Sequence, residues 1–346
     1  MKVIFIRIIA IVLCVVTVFG LVALFLRRKD QESSVETSRV GNSNKSKIKP
    51  DTVMIEMNES YNATADEYFY HALGMRNEYM TQYGAEIFDY YPELVDNILA
   101  EVDSLIIDNA SYMLWGSEVG FELSDEDYAE FETQVEELKA YLIESGSTFA
   151  KHLKANNLTE ELFRQVYIKT LYVNKFLSGY VMEELPKLSV TEQEIEDYIK
   201  RFSVVAAKHI LIDESVGEGY DDMKAFALDI LARLDEGEDF DELMNEYSVD
   251  PGLEANPTGY TFREGEFIPE FEAITRELVI GEVSGIVESD YGIHIIMRID
   301  IDIETVRYWV QQEMMEQKRL DYQQRLDPQT TKARDGLILL DMQSIV

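Results

Sequence analysis

Two histidines sit in apolar, strand-like runs at opposite ends of one stretch of the chain. The runs are Lys208-His209-Ile210-Leu211-Ile212 and Tyr291-Gly292-Ile293-His294-Ile295-Ile296. The 346 residues include only four histidines. Between these two lie Asp250, which precedes Pro251-Gly252, and the aromatic residues Phe262, Phe267 and Phe271. Phe267 and Phe271 are four apart, a spacing that puts both rings on one face at a helix end. Such rings form an apolar slot. A carboxylate beside imidazoles sets the electrostatics of a bond held over that slot, and burial would shift the pKa of each group. Taken singly, each has a plainer reading. Histidines in apolar runs are satisfied core residues, the phenylalanines are core aromatics, and Asp250 is a turn residue. Their co-occurrence in one stretch is what makes a candidate site of them.

That stretch has to fold as a unit. At about 203 the hydrophobic pattern changes from helical to strand-like, with Val204, Val205, Ile210, Leu211 and Ile212. The pattern predicts an amphipathic helix over roughly 220–234, closed by Gly237, then a short helix carrying Phe240, Leu243, Met244 and Tyr247. A third helix is expected over 269–278, and closing strands over 283–287 and 294–299. One α/β unit spanning 203–300 falls within the usual size of a domain.

Six spaced elements of this unit resemble the parvulin family of peptidyl-prolyl isomerases. They are Lys208-His209-Ile210-Leu211, Asp239-Phe240, Tyr247-Ser248-Val249-Asp250, the run Gly265 to Glu272, Gly281-Glu282-Val283-Ser284, and Tyr291 to Ile296. The resemblance implies a small four-stranded antiparallel sheet with helices. It implies that His209 and His294 form a buried hydrogen-bonded pair, that Phe262, Phe267 and Phe271 line a proline pocket, and that Asp250 stands where the family has cysteine or aspartate. Tyr291 takes a place where many members carry Phe or Ser, so it would add a hydroxyl to the pocket. Where the family usually has a Gly-Gly pair, this chain has Asn256-Pro257-Thr258-Gly259-Tyr260. The implied reaction suits the residue types. An X–Pro bond turns slowly, over a barrier of ~18–20 kcal/mol, because twisting breaks amide resonance. A slot for the ring and a polarised site for the amide are sufficient, so no metal and no cofactor are expected. With aspartate at position 250, a thiol nucleophile is excluded there.

The rest of the chain gives this unit its setting. Ile8 to Leu26 is an uncharged apolar run of 19 residues, about the length that crosses the hydrocarbon core. It has no small-x-small cleavage site and is longer than a signal-peptide core, so residues 1–29 read as a signal anchor. Positive charge on both flanks leaves the orientation open. Residues 30–60 read as a flexible polar linker. Residues 61–202 read as helical, with apolar stripes Leu94-Ile98-Val102-Leu105 and Tyr128-Phe131-Val135-Leu138-Leu142. Capping-box starts are expected at Ser124 and Thr191, and one long amphipathic helix over 158–185. Residues 301–326 read as a helix packing on the helical domain, and 327–346 as a tail.

This layout resembles extracytoplasmic foldases of the PrsA and SurA type, which carry a parvulin unit inserted in an all-α chaperone domain. The resemblance implies a folded body outside the cytoplasmic membrane. It implies clients that are partly unfolded exported polypeptides with X–Pro bonds; the aromatics Tyr68, Phe69, Tyr70, Tyr79, Tyr83, Phe88, Tyr90 and Tyr91 are candidates for a client groove and equally for the core. A reading from another class is a parvulin-like unit that binds clients without turnover; a third is a tethered structural protein. Composition narrows the field further. The formal charge is −35, from 66 acidic and 31 basic residues, which disfavours nucleic acid. The one cysteine, Cys14, excludes an internal disulfide framework and a cysteine-ligated zinc site. Lys208 and Arg263 stand alone near the candidate site, without the basic cluster that phosphopeptide recognition needs.

Overall fold

The computed structural model describes residues 48–335 apart from 58–60, 85, 156–157 and 217–219. In chain order its elements are β1 (Val53–Glu56), β2 (Ala63–Thr64), α1 (Ala65–Tyr83), α2 (Ile87–Tyr90), α3 (Leu94–Glu118), α4 (Asp125–Glu144), α5 (Phe149–Ala155) and α6 (Glu160–Lys175). They continue with α7 (Met182–Glu184), α8 (Glu192–Arg201), β3 (Val205–Ile212), α9 (Tyr220–Asp235), α10 (Phe240–Tyr247), β4 (Tyr260–Phe262) and α11 (Pro269–Glu277). The last are β5 (Val287–Ser289), β6 (Gly292–Arg298), α12 (Ile303–Leu326), β7 (Gln329–Thr330) and α13 (Lys332–Asp335). The fold is helix-rich α+β and divides into two units, one running from Pro186 to Met314 and the other formed by the residues on either side.

The 186–314 unit is built on a four-stranded antiparallel sheet of order β4-β3-β6-β5. Strand β3 is buried almost throughout because both of its faces are covered. Successive side chains of a strand point to opposite faces. Ile210 and Ile212 therefore pack with Ile293 and Ile295 against Ala227 and Ile230 of α9 and Leu243 of α10. Val205 and Ala207 face the other way, toward Phe262, Phe271 and Ile296. His209 follows them at the same period of two. In the ladder His209 lies opposite Ile296 and Leu211 opposite His294, so the two histidines are diagonal neighbours on one face, within reach of ring-sized side chains.

The expected strand over 283–287 is displaced. β5 is Val287–Ser289, and Val283 makes a single bridge to Met297. Ser284 explains the break. Its N–H donates to the Ile296 carbonyl at 2.7 Å, and its Oγ accepts the Ile296 N–H at 2.9 Å, so a hydroxyl takes the place of a ladder carbonyl. The unit also extends beyond 203–300. Ile195 and Tyr198 of α8 pack with Val204, Val306 and Val310, which draws α8 and the first part of α12 into it. Thr191 starts α8 with the expected capping box.

In the other unit, Tyr68 of α1 and Ile98, Leu99, Val102 and Ile106 of α3 form the core. Phe131, Val135 and Leu142 of α4 are buried as the stripe predicts, while Tyr128 at its start is exposed, and Ser124 caps α4 through a capping box with Asp127. Four expectations are corrected. The unit is not all-α, because β2, β1 and β7 form a small antiparallel sheet. The linker reading of 30–60 fails at its end, because Met54 and Ile55 are wholly buried in that sheet; two adjacent apolar residues carry no period. Residues 327–335 are likewise structured, with β7 paired to β1. The long helix over 158–185 is also interrupted. After α6 the chain makes a π-helical turn over Phe176–Val181 and ends in a 3-10 turn at Leu185–Lys187, where Pro186 cannot continue the ladder. α12 contributes to both units, with Val306 and Val310 buried in one and Leu326 in the other. The apolar run Ile8–Leu26, the rest of the linker through residue 47, and the tail from 336 lie outside the described residues. Among the described residues no helix is long and apolar enough to cross a membrane.

Candidate active site

His209, Asp250 and His294 meet. The Nδ1 atoms of His209 and His294 are 3.0 Å apart, and the rings lie edge to edge, with centroids 5.2 Å apart and 13° between planes. His209 Nε2 lies 3.2 Å from Asp250 Oδ2. Asp250 comes from the loop after α10, which the end of β3 holds in place. The Val249 N–H donates to the Leu211 carbonyl at 2.9 Å, and Ser248 Oγ accepts the Leu211 N–H at 3.0 Å.

Three further residues complete the cluster. The Tyr260 hydroxyl donates to Asp250 Oδ2 in a short hydrogen bond, and the Gly252 N–H approaches Asp250 Oδ1 at 3.3 Å. Ser289 Oγ is 2.7 Å from His294 Nε2 and accepts the Tyr291 N–H at 3.1 Å. Gly252 is required by proximity, since a Cβ there would lie 2.3 Å from the Tyr260 hydroxyl. Gly259 has φ +101°, and a Cβ there would meet the Ala207 carbonyl at 2.8 Å. The single glycine left in the 256–260 loop is thus the one its geometry needs.

An ionised Asp250 fixes the order of protons. His209 donates from Nε2 to the carboxylate, which leaves its Nδ1 an acceptor for His294 Nδ1–H. His294 Nε2 then accepts from the Ser289 hydroxyl. Every group is satisfied with both imidazoles neutral, and the electrostatics agree. Burial lowers the pKa of His294, helped by neighbouring His209, to about 4. Burial also lowers that of His209, against the pull of Asp250. Burial pushes the Asp250 carboxyl up, but the bonds from Tyr260, Gly252 and His209 together hold it below its ordinary value. Burial and the Asp250 charge push the Tyr260 hydroxyl up, so it stays protonated.

The phenylalanines form a cup beside this network. Ring centroids are 4.4 Å apart for Phe262 and Phe267, 5.1 Å for Phe267 and Phe271, and 5.9 Å for Phe262 and Phe271. Phe271 also meets His209 edge-on at 5.1 Å, joining cup to dyad. Phe262 arrives on β4. Pro269 begins α11, which carries Phe271. Phe267 is set by the buried Glu272 carboxylate, which accepts the N–H groups of Phe267 and Gly265 at 2.9 Å. Tyr291 does not join the cup. Its side chain is 67% exposed, and it reaches the network through its backbone N–H.

Sequence reasoning missed Tyr260, Ser289 and Ser248. Tyr260 had a signal, because it stands two residues before Phe262 and so faces the same way. Ser289 is placed by the β5–β6 register, which no local pattern reveals. The two nearby cations are engaged: Lys208 pairs with Asp241, while Arg263 pairs with Glu266 and lies 4.7 Å over the Trp309 ring. Among the described residues no cluster of three or more His, Cys, Asp or Glu is placed to hold a metal ion.

The chain is similar to known proteins. Residues 209–300 match the rotamase family model, described as a PPIC-type PPIase domain. The chain is 40% identical over 142 residues to the foldase protein PrsA of Halalkalibacterium halodurans, covering 38% of this chain and 39% of that protein. It is 34% identical over 158 residues to PrsA of Geobacillus kaustophilus, covering 44% and 51%. The chain thus spans about half or less of the length of these curated relatives. Among solved structures, the parvulin of Nitrosopumilus maritimus shares 31% identity over 28% of this chain and 96% of its own, with a TM-score of 0.24. PrsA from Bacillus subtilis shares 19% over 81% of this chain and 93% of its own, at 0.29. Residues 209–300 of this chain are thus similar to the PPIC-type, parvulin-like peptidyl-prolyl isomerase domains.

Proposed function

We propose that this chain is a peptidyl-prolyl cis-trans isomerase and foldase for exported polypeptides. It would be held to the cytoplasmic membrane by Ile8–Leu26, with its folded body outside. The observation that carries the catalytic part is the adjacency of the phenylalanine cup to the hydrogen-bonded series Tyr260–Asp250–His209–His294–Ser289.

The mechanism follows from amide physics. A planar X–Pro amide is a strong dipole because its nitrogen shares a lone pair with the carbonyl. Twisting withdraws that sharing and shrinks the dipole. The cup takes the proline ring, and the neutral histidines present an apolar, pre-ordered surface to the amide. Solvent that would stabilise the planar dipole is excluded, so the twisted form is favoured relative to the planar one. Asp250 keeps the imidazoles in one tautomeric order, and no covalent bond to the chain is made.

The relatives named foldases support client binding by the chain, and the helical unit is the place proposed for it. The length and apolarity of Ile8–Leu26 support the membrane tether. Two measurements test the reading: prolyl isomerisation of a tetrapeptide by the full chain, and protease access to its body on intact cells. Absence of turnover with client holding retained would replace the isomerase by a binding-only chaperone. Protection of the body on intact cells would overturn the proposed location.

A further inference from the structure

The connection between α1 and α3 differs from the rest of its unit. Its short helix α2 buries none of its residues. Tyr83, Tyr90 and Tyr91 are 58%, 72% and 53% exposed. Tyr79 continues this surface inward, with ring centroids 6.1 Å from Tyr83 and 6.4 Å from Phe88. Large aromatics left in water close together mark a binding surface. Tyrosine also offers an amphipathic face at little entropic cost.

Charge identifies what the surface fits. From Asn77 to Leu138 the sequence contains no lysine, arginine or histidine, while Glu78, Glu86, Asp89, Glu93, Asp96 and Glu101 surround the tyrosines in sequence. Two of these carboxylates, Glu78 and Glu101, are exposed and act on Tyr79 through their charge. Glu101 is held above its ordinary pKa by desolvation and by the charge of Glu78. Burial, Glu101, Tyr83 and Glu78 push the Tyr79 hydroxyl up. Crowded negative charge beside ring faces attracts cations, which pair with the carboxylates and lie over the rings. A second copy of this chain would bring the same negative charge, and an anionic lipid surface would be repelled.

We propose that the Tyr79–Tyr91 surface binds cationic, extended polypeptide, namely client segments in which lysine and arginine alternate with small or apolar residues. This rests on the foldase reading and names the client chemistry the helical unit selects. It gives the unit a preference independent of proline, so clients would be held by charge and aromatic contact while the isomerase domain acts elsewhere on them.

The test uses the full chain and a fluorescein-labelled 15-residue Lys/Ala/Ser peptide without proline, read by anisotropy at low salt. The cationic peptide is expected to bind at least tenfold tighter than its Glu/Ala/Ser counterpart, with affinity falling steeply as salt rises. Tyr83→Ala/Tyr90→Ala/Tyr91→Ala is expected to weaken binding at least fivefold, with circular dichroism and tetrapeptide isomerisation unchanged. Glu78→Gln/Glu101→Gln, which keeps the rings, is expected to flatten the salt dependence. Equal binding of both peptides, or native affinity in the tyrosine variant, would overturn the proposal. Loss of tetrapeptide turnover with cationic binding intact would count against the isomerase reading and leave this one standing. Prevention of client aggregation without cationic-peptide binding would do the reverse.

Discussion

At the scale of residues, the site depends on two imidazoles that stay uncharged. His294 titrates at about 4 against an ordinary value of 6.5, and His209 is also lowered. The folded state therefore binds fewer protons than the unfolded chain below pH 6.5. Stability is therefore complete above about pH 6.5 and is lost as pH falls toward 4, by roughly 1.4 kcal/mol per pH unit for His294, with His209 acting in the same direction. His71, also at about 4 through burial and Lys169, adds the same dependence in the helical unit. Comparing urea midpoints of the native chain with His294→Gln between pH 7 and 4.5 isolates the site: the variant should lose less stability on acidification. Tyr260→Phe removes a hydrogen bond to an ionised carboxylate, worth about 1.5–3 kcal/mol. Turnover should drop about ten- to a hundredfold and the Asp250 carboxyl should titrate higher, measurable by carbon-13 NMR. A variant with native turnover would show that Asp250 needs no such partner.

At the scale of elements, α11 and the turn before it decide where Phe267 lies. Glu272 accepts N–H groups from both Gly265 and Phe267, and Arg276 lies 3.6 Å from it. Glu272→Ala should leave those N–H groups unpaired, destabilise by about 1–3 kcal/mol and raise KM more than it lowers kcat, as steady-state kinetics and urea denaturation would show. Ser124→Ala removes the α4 cap and should lower stability by about 1 kcal/mol while leaving isomerisation unchanged. Much of this level was legible in the sequence. The histidine runs, the Phe267–Phe271 spacing and both capping boxes announced themselves through period and residue type. What stayed hidden depends on partners far away in sequence. Ile55 finds one of its partners in Thr330 of β7, and the Met54 carbonyl accepts the Thr331 N–H, hundreds of residues later. Ser289 acquires its role from the hairpin register, and the strand expected at 283–287 gave way to a serine hydroxyl.

At the scale of the whole molecule, the chain is two units on one strongly acidic polypeptide. The cations near the candidate site are already paired, so, on the proposed isomerase reading, substrates with a phosphate before proline should gain no rate over their unphosphorylated forms. The central claim is that the aromatic cup and the ordered dyad beside it speed rotation about X–Pro bonds. Its most direct test is protease-coupled isomerisation of a prolyl tetrapeptide by the native chain, Phe267→Ala and Asp250→Ala. The account predicts turnover by the native chain, with each variant reduced at least tenfold while remaining folded by circular dichroism. Native turnover in both folded variants, or none in the native chain, would contradict it.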